Sequence, residues 1–129
     1  MKLLLDTCAI LWLAREVSRL GQAVRGIIRE RPDSLYVSAI SAFEIGVKHR
    51  KGKLDLDMSP EEWWNLAVTH HGLQVLPITD TVVLASTALP GLHADPCDRI
   101  IIATAEGIHA SIVTSDQLIT QYPSATVVW

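Results

Sequence analysis

The sequence predicts an α/β fold: a five-stranded parallel sheet sandwiched by helices. Three observations carry that expectation. Short apolar runs of strand length alternate with helix-patterned segments along the chain. The runs are apolar at successive positions rather than at every second one, as strands covered on both faces are. The chain has 129 residues, 49% apolar and 19% charged, which suits one domain (1–129) with a substantial core.

Each element has a local reason. KLLL (2–5) is the first strand. A short apolar helix over about 8–15 follows, then an amphipathic one over about 19–31 with Leu20, Val24, Ile27 and Ile28 on one face. Pro32 stops it. LYVS (35–38) is the second strand, and the helix after it, about 41–50, ends in the basic turn KHRKGK (48–53). Ser59 and Glu62 form a capping box around Pro60, opening a helix that Gly72 closes. LQVLPI (73–78) is the third strand, and a short helix over about 80–88, with Asp80 as its cap, comes next. Asp95 caps, and Pro96 begins, a helix running to about 109. SIVT (111–114), a short helix over about 116–120 and TVV (126–128) complete the pattern.

Composition narrows the function classes. The net charge is −3, so overall charge does not hold a nucleic acid, and local basic patches or metal ions would have to. The start MKLLLDTCAILWLA imitates a secretion signal, but Asp6 interrupts it and Leu3–Leu5 is too short a core. No segment reaches membrane-spanning length, and a cytoplasmic protein with no membrane contact is expected. Cys8 and Cys97 lack metal-type spacing and are expected to be free, buried thiols. His70 and His71 read as a helix-end pair. Trp63 and Trp64 cannot both face the core from one helix, so one packs at the rim or marks a contact.

Parallel sheets bind ligands beyond the carboxyl ends of their strands. LLLD ends in Asp6 and IVTSD in Asp116; Glu44 lies about one and a half turns into the helix after LYVS. Asp98 heads the stripe Ile101, Ile102 and Ala105 that should face the core, and an acid aimed inward wants a partner. Each acid also has a local alternative: Glu44 in a capping box with Ser41, Asp116 and Asp6 as helix caps, Asp98 as a complement to a helix dipole. Two unit charges about 4 Å apart repel by about 4 kcal/mol at an effective dielectric of about 20. Four converging carboxylates therefore require protons or a cation. Oxygen ligands with no nearby histidine or thiolate pair suit Mg²⁺ or Mn²⁺ rather than zinc.

The segments LLLDTCAILWL, VSAISAFEIGVKHRKGKL, HADPCDRIIIATA and IVTSD, in that order, resemble the motif blocks of PIN-domain nucleases, most closely the VapC-type toxins of toxin–antitoxin pairs. The resemblance spans nearly the whole chain. It implies strand order 3-2-1-4-5 and Mg²⁺-dependent endoribonuclease activity, with Mn²⁺ able to substitute. It also implies an RNA substrate, a small antitoxin partner and a homodimer. Asp6, Glu44, Asp98 and Asp116 match the family's acids, as catalytic and metal-holding residues. Thr7, Ser38, Thr114 and Ser115 are candidates to orient carboxylates or water, with capping roles as the alternative, and Asp95 is a cap or a ligand. Lys48, Arg50, Lys51 and Lys53 either track an RNA backbone or form a solvated helix end; Arg99 meets a phosphate or pairs with Asp95. A receiver-type phosphoacceptor domain, also five parallel strands with acids at their ends, is the rival; it needs a lysine after the fifth strand, and VVW (127–129) supplies none. A PIN-like domain that only binds is the second rival.

Overall fold

The computed structural model describes residues 1–129, the side chain of Pro32 excepted. In chain order the elements are β1 (Leu3–Leu5), α1 (Thr7–Arg15), α2 (Gln22–Glu30), β2 (Leu35–Ser38), α3 (Ala39–Arg50), α4 (Pro60–His71), β3 (Gln74–Leu76), α5 (Asp80–Ala88), α6 (Pro96–Ile108), β4 (Ser111–Val113), α7 (Gln117–Thr120) and β5 (Val127–Val128). The strands form one parallel sheet in the order β3-β2-β1-β4-β5. A receiver-like sheet runs 2-1-3-4-5 instead, so strand order separates the two candidate folds.

β1 is the centre of the sheet, and Leu3, Leu4 and Leu5 are completely buried. Alternate side chains leave opposite faces of a strand. Leu3 and Leu5 accordingly join Ile10, Leu13, Val24, Trp63 and Ala67 on one side, while Leu4 joins Ile101, Ile102, Ile112 and Tyr122 on the other. Helices cover both faces, which is why three successive leucines serve here and an alternating strand would not. Each buried leucine contributes roughly 1.5–3 kcal/mol relative to exposure.

Several boundaries differ from the sequence expectation for physical reasons. β3 pairs only with β2, so a short piece of LQVLPI is in register and Val75 is 41% exposed. α2 starts at Gln22, after a 3₁₀ turn over Val17–Arg19. Gly21 lies against the last strand's exit: a Cβ there would stand 2.0 Å from the carbonyl carbon of Trp129. α3 starts at Ala39 with Ser38 as its cap, so Ser41 and Glu44 are no capping box. Thr79, not Asp80, caps α5, accepting from the Val82 N–H. Ser59 caps α4 as expected, and Gly72 closes it at φ 62°, a left-handed conformation that favours glycine. Trp63 is buried and Trp64 packs at the rim. Among the described residues, no helix is long and apolar enough to cross a membrane.

Candidate metal centre at the carboxyl edge of the sheet

β1 and β4 are neighbours in register, Leu5 opposite Val113, so the next residues, Asp6 and Thr114, also meet. Asp6 caps α1 through Oδ1, which accepts from the Ala9 N–H at 2.7 Å. Its Oδ2 accepts from the Thr114 hydroxyl at 2.5 Å. The same Thr114 oxygen accepts from the Asp116 N–H at 3.0 Å, so one threonine ties two acids to adjacent strands. Asp116 caps α7, its Oδ1 accepting from the Leu118 N–H at 2.8 Å. Across the cleft, Glu44 Oε1 accepts from the Thr7 hydroxyl at 2.5 Å, and the Thr7 and Ser41 hydroxyls are 3.0 Å apart. Asp98 stands in the first turn of α6.

Asp6, Glu44, Asp98 and Asp116 line one cavity of about 220 Å³, together with Thr7, Cys8, Lys48, Asp95 and Ser115. A hollow of about 340 Å³ adjoins it, sharing Glu44, Lys48 and Asp95 and adding Lys51, Lys53, Phe43, Val47 and Cys97. Arg50 is exposed at the end of α3 and lines neither. Ser38 is buried beneath as the α3 cap, its Oγ accepting from the Ile40 N–H. Asp95 caps α6, its Oδ1 accepting from the Cys97 N–H at 2.9 Å, and still borders the cavity.

The electrostatics of this rim are unbalanced. Burial, with repulsion from Asp116 and Glu44, lifts Asp6 to about 6 against the bonds from Thr114 and Ala9. Burial and the charges of Asp95 and Glu44 lift Asp98 to about 7. Burial also raises Glu44, opposed by its bond from Thr7. Asp116 goes the other way: burial raises it, but hydrogen bonds from His93 and the Leu118 N–H outweigh burial and hold it low. Among the described residues, no lysine or arginine forms an ion pair with any of the four acids. Four acids crowded with Lys48 as the lysine in their cavity are what a divalent cation would relieve, and the donor set fits one.

Two residues behave differently from the sequence expectation. The sequence expectation is of oxygen ligands with no histidine nearby, yet His93 Nε2 lies 2.9 Å from Asp116 Oδ2 and 3.0 Å from Asp98 Oδ2. These three side chains bring their ligand-type atoms within 4.8 Å of one another. The available signal was position: His93 stands just ahead of the Asp95–Pro96 helix start, so it must lie near Asp98. Arg99, a candidate phosphate contact or partner for Asp95, forms no ion pair with Asp95 among the described residues. Its guanidinium donates to the carbonyls of Ser86, Leu89 and Pro90, each at 2.8 Å, and fastens the end of α5 to α6. Arginine offers five donors, and carbonyls left over at a helix end absorb them. Cys8 and Cys97 are free, as expected, but Cys8 is exposed and Cys97 half-buried, because both sit at the cavity rim rather than in the core.

A parallel 3-2-1-4-5 sheet with carboxylates gathered at the ends of β1 and β4 defines the class. The PIN domain family model matches residues 3–124, and the chain belongs to that family. It is 32% identical over 129 residues to Ribonuclease VapC22 of Mycobacterium tuberculosis (strain ATCC 25618 / H37Rv), covering 98% of this chain and 97% of that protein. Two solved structures share the fold. A DNA-bound VapBC from Salmonella typhimurium superposes with a TM-score of 0.74 at 17% identity, over 99% of this chain and 97% of that one. VapBC2 from Rickettsia felis, bound to a DNA fragment from its promoter, gives 0.74 at 13% identity, over 99% and 98%.

Proposed function

We propose that this chain is a Mg²⁺-dependent endoribonuclease, with Mn²⁺ able to substitute, acting as the toxin of a toxin–antitoxin pair. The observation that carries the reading is the cavity itself: four acids from four separate segments share it and, among the described residues, no lysine or arginine is paired to them. The VapC22 likeness, at 32% identity over nearly the full length, supports RNA as the substrate. The VapBC complexes of the same fold support a small antitoxin partner. A homodimer and a cytoplasmic location belong to the same reading.

Asp6, Glu44, Asp98 and Asp116 would hold the cation. Bound there, a divalent ion lowers the pKa of water and offsets charge on a phosphate in the transition state. The protein's own groups do the rest. Thr114 keeps the Asp6 carboxylate turned into the cleft, and Thr7, held by Ser41, does so for Glu44. Both threonines thus serve as orienting groups, whereas Ser38 serves as a cap, and Ser115 and Asp95 border the cavity. Lys48, Lys51 and Lys53 extend from the acids along the adjoining hollow, a path for the phosphates of an RNA strand. The scissile phosphorus is attacked in line by water, leaving a 5′-phosphate and a 3′-hydroxyl with no covalent enzyme intermediate.

Purified chain, free of any partner, should cleave RNA when Mg²⁺ or Mn²⁺ is added. EDTA or Asp98→Asn should abolish cleavage, and mapping the ends should find 5′-phosphates. Undiminished cleavage in either control removes the metal assignment; 2′,3′-cyclic phosphate ends remove the water-attack chemistry.

A further inference from the structure

We propose that His93 is the positioning residue of the cation site, holding Asp116 against Asp98 so that one ion serves both. The inference rests on the metal-dependent reading above and names a residue that reading does not use.

Every polar group of His93 has a partner. Its backbone N–H donates to the Tyr122 hydroxyl at 2.9 Å, and its carbonyl accepts from Arg99 at 3.4 Å. The Asp95 N–H donates to Nδ1 at 3.1 Å. Nδ1 therefore presents a lone pair, and the hydrogen bonds assign the ring proton to Nε2. That N–H donates to Asp116 Oδ2 at 2.9 Å, with Asp98 Oδ2 3.0 Å away. A protonated ring nitrogen has no lone pair for a metal, so His93 acts through the carboxylates and not as a ligand. The ring cannot drift. Its side chain is 10% exposed, and the residues that hold its backbone are themselves anchored: Tyr122 donates to the Pro90 carbonyl, and Arg99 clamps the end of α5. Asp116 stands at the open side of the cavity, 31% exposed, its carboxylate held otherwise by backbone N–H groups at the start of α7. Donors that orient a ligating carboxylate are worth about 10–100-fold in metal affinity.

The test is Mn²⁺ titration calorimetry on the full RNA-free chain, with circular dichroism confirming that each variant is folded. His93→Ala should weaken Mn²⁺ binding by about 10–100-fold. His93→Gln, whose amide N–H has similar reach, should recover most of the loss, whereas the shorter His93→Asn should not. Mn²⁺ bound as tightly or more tightly by His93→Ala overturns the proposal, as does a His93→Gln variant no better than alanine. Asp98→Asn separates the two levels. If it binds Mn²⁺ like the unmodified chain, or if the unmodified chain binds none, the metal reading falls and this inference falls with it. Loss in Asp98→Asn without loss in His93→Ala removes the positioning role alone.

Discussion

Leu5 and Asp6 are neighbours in sequence and nearly equally buried, at 0% and 6% exposure, yet they belong to opposite kinds of structure. Leu5 ends a strand whose every side chain meets apolar partners on one face or the other. Asp6 begins a rim where burial works against the group it covers, lifting its carboxyl to about 6, and Asp98 beside it to about 7. The interior is matched and the rim is frustrated. The lesson is that the apolar core holds in place a cluster of like charges that would not assemble unaided, and that this repulsion is what a cation would relieve under the proposed function.

The contrast can be broken from the core side first. Leu4→Ala removes a fully buried side chain packed against Ile101, Ile102 and Ile112, and should cost about 2–5 kcal/mol in a denaturant titration. A loss under 1 kcal/mol would mean that this face is loosely packed. The rim should respond in the reverse sense. The unfolded carboxyls titrate near 3.8, whereas Asp6 and Asp98 titrate near 6 and 7 in the fold. Between those values the folded chain binds more protons, so stability falls as pH rises through the window. Metal-free protein should therefore lose about 2 kcal/mol between pH 5 and pH 8, after allowance for solvent screening, and saturating Mn²⁺ should flatten the slope. Asp116, held low, contributes the opposite sign, but below this window. A metal-free chain more stable at pH 8 than at pH 5 would contradict the picture.

Smaller effects sharpen the comparison. Asp98→Asn removes one of the crowded charges and should raise the melting temperature of metal-free protein at pH 8 by several degrees, about 1 kcal/mol, even though it should end cleavage. A lowered melting temperature would show that Asp98 is structurally satisfied as it stands. Lys51→Ala combined with Lys53→Ala touches neither core nor acids. It should weaken RNA binding a few-fold, with the salt dependence of binding less steep by one to two ions. An unchanged salt slope would leave the two lysines as ordinary solvated charge.

Legibility in the sequence followed the range of the interaction. Caps are decided within a few residues, so Asp95, Ser59 and Gly72 announce their roles, and the run of three leucines announces a strand covered on both sides. Even there, neighbouring caps competed: Ser38 displaced Ser41 and Thr79 displaced Asp80, because an element starts where the strand before it lets go. Asp6 and Asp116 after strands, Asp98 at a helix head and Glu44 partway into a helix were visible, and the resemblance to PIN domains put them in order. His93 carried no local signal of its link to Asp116, and Arg99 none of its link to the end of α5, because those partners are remote in sequence. His93 meets Asp116 across 23 residues, and Arg99 reaches Ser86 and Leu89. No local pattern distinguishes an arginine that will bind phosphate from one that will be consumed by carbonyls.

By itself, then, the order of residues determined the alternation of strands and helices, the double-sided burial of β1 and the placing of an acid just beyond each of the two central strands. Those are short-range consequences of side-chain shape, polarity and capping chemistry. Only the tertiary structure decided that Asp6 would share a threonine with Asp116, that a histidine would stand between two carboxylates, and that Arg99 would face inward. Those outcomes depend on which strands lie side by side, and strand neighbours are chosen by the packing of the whole sheet rather than by any segment of it.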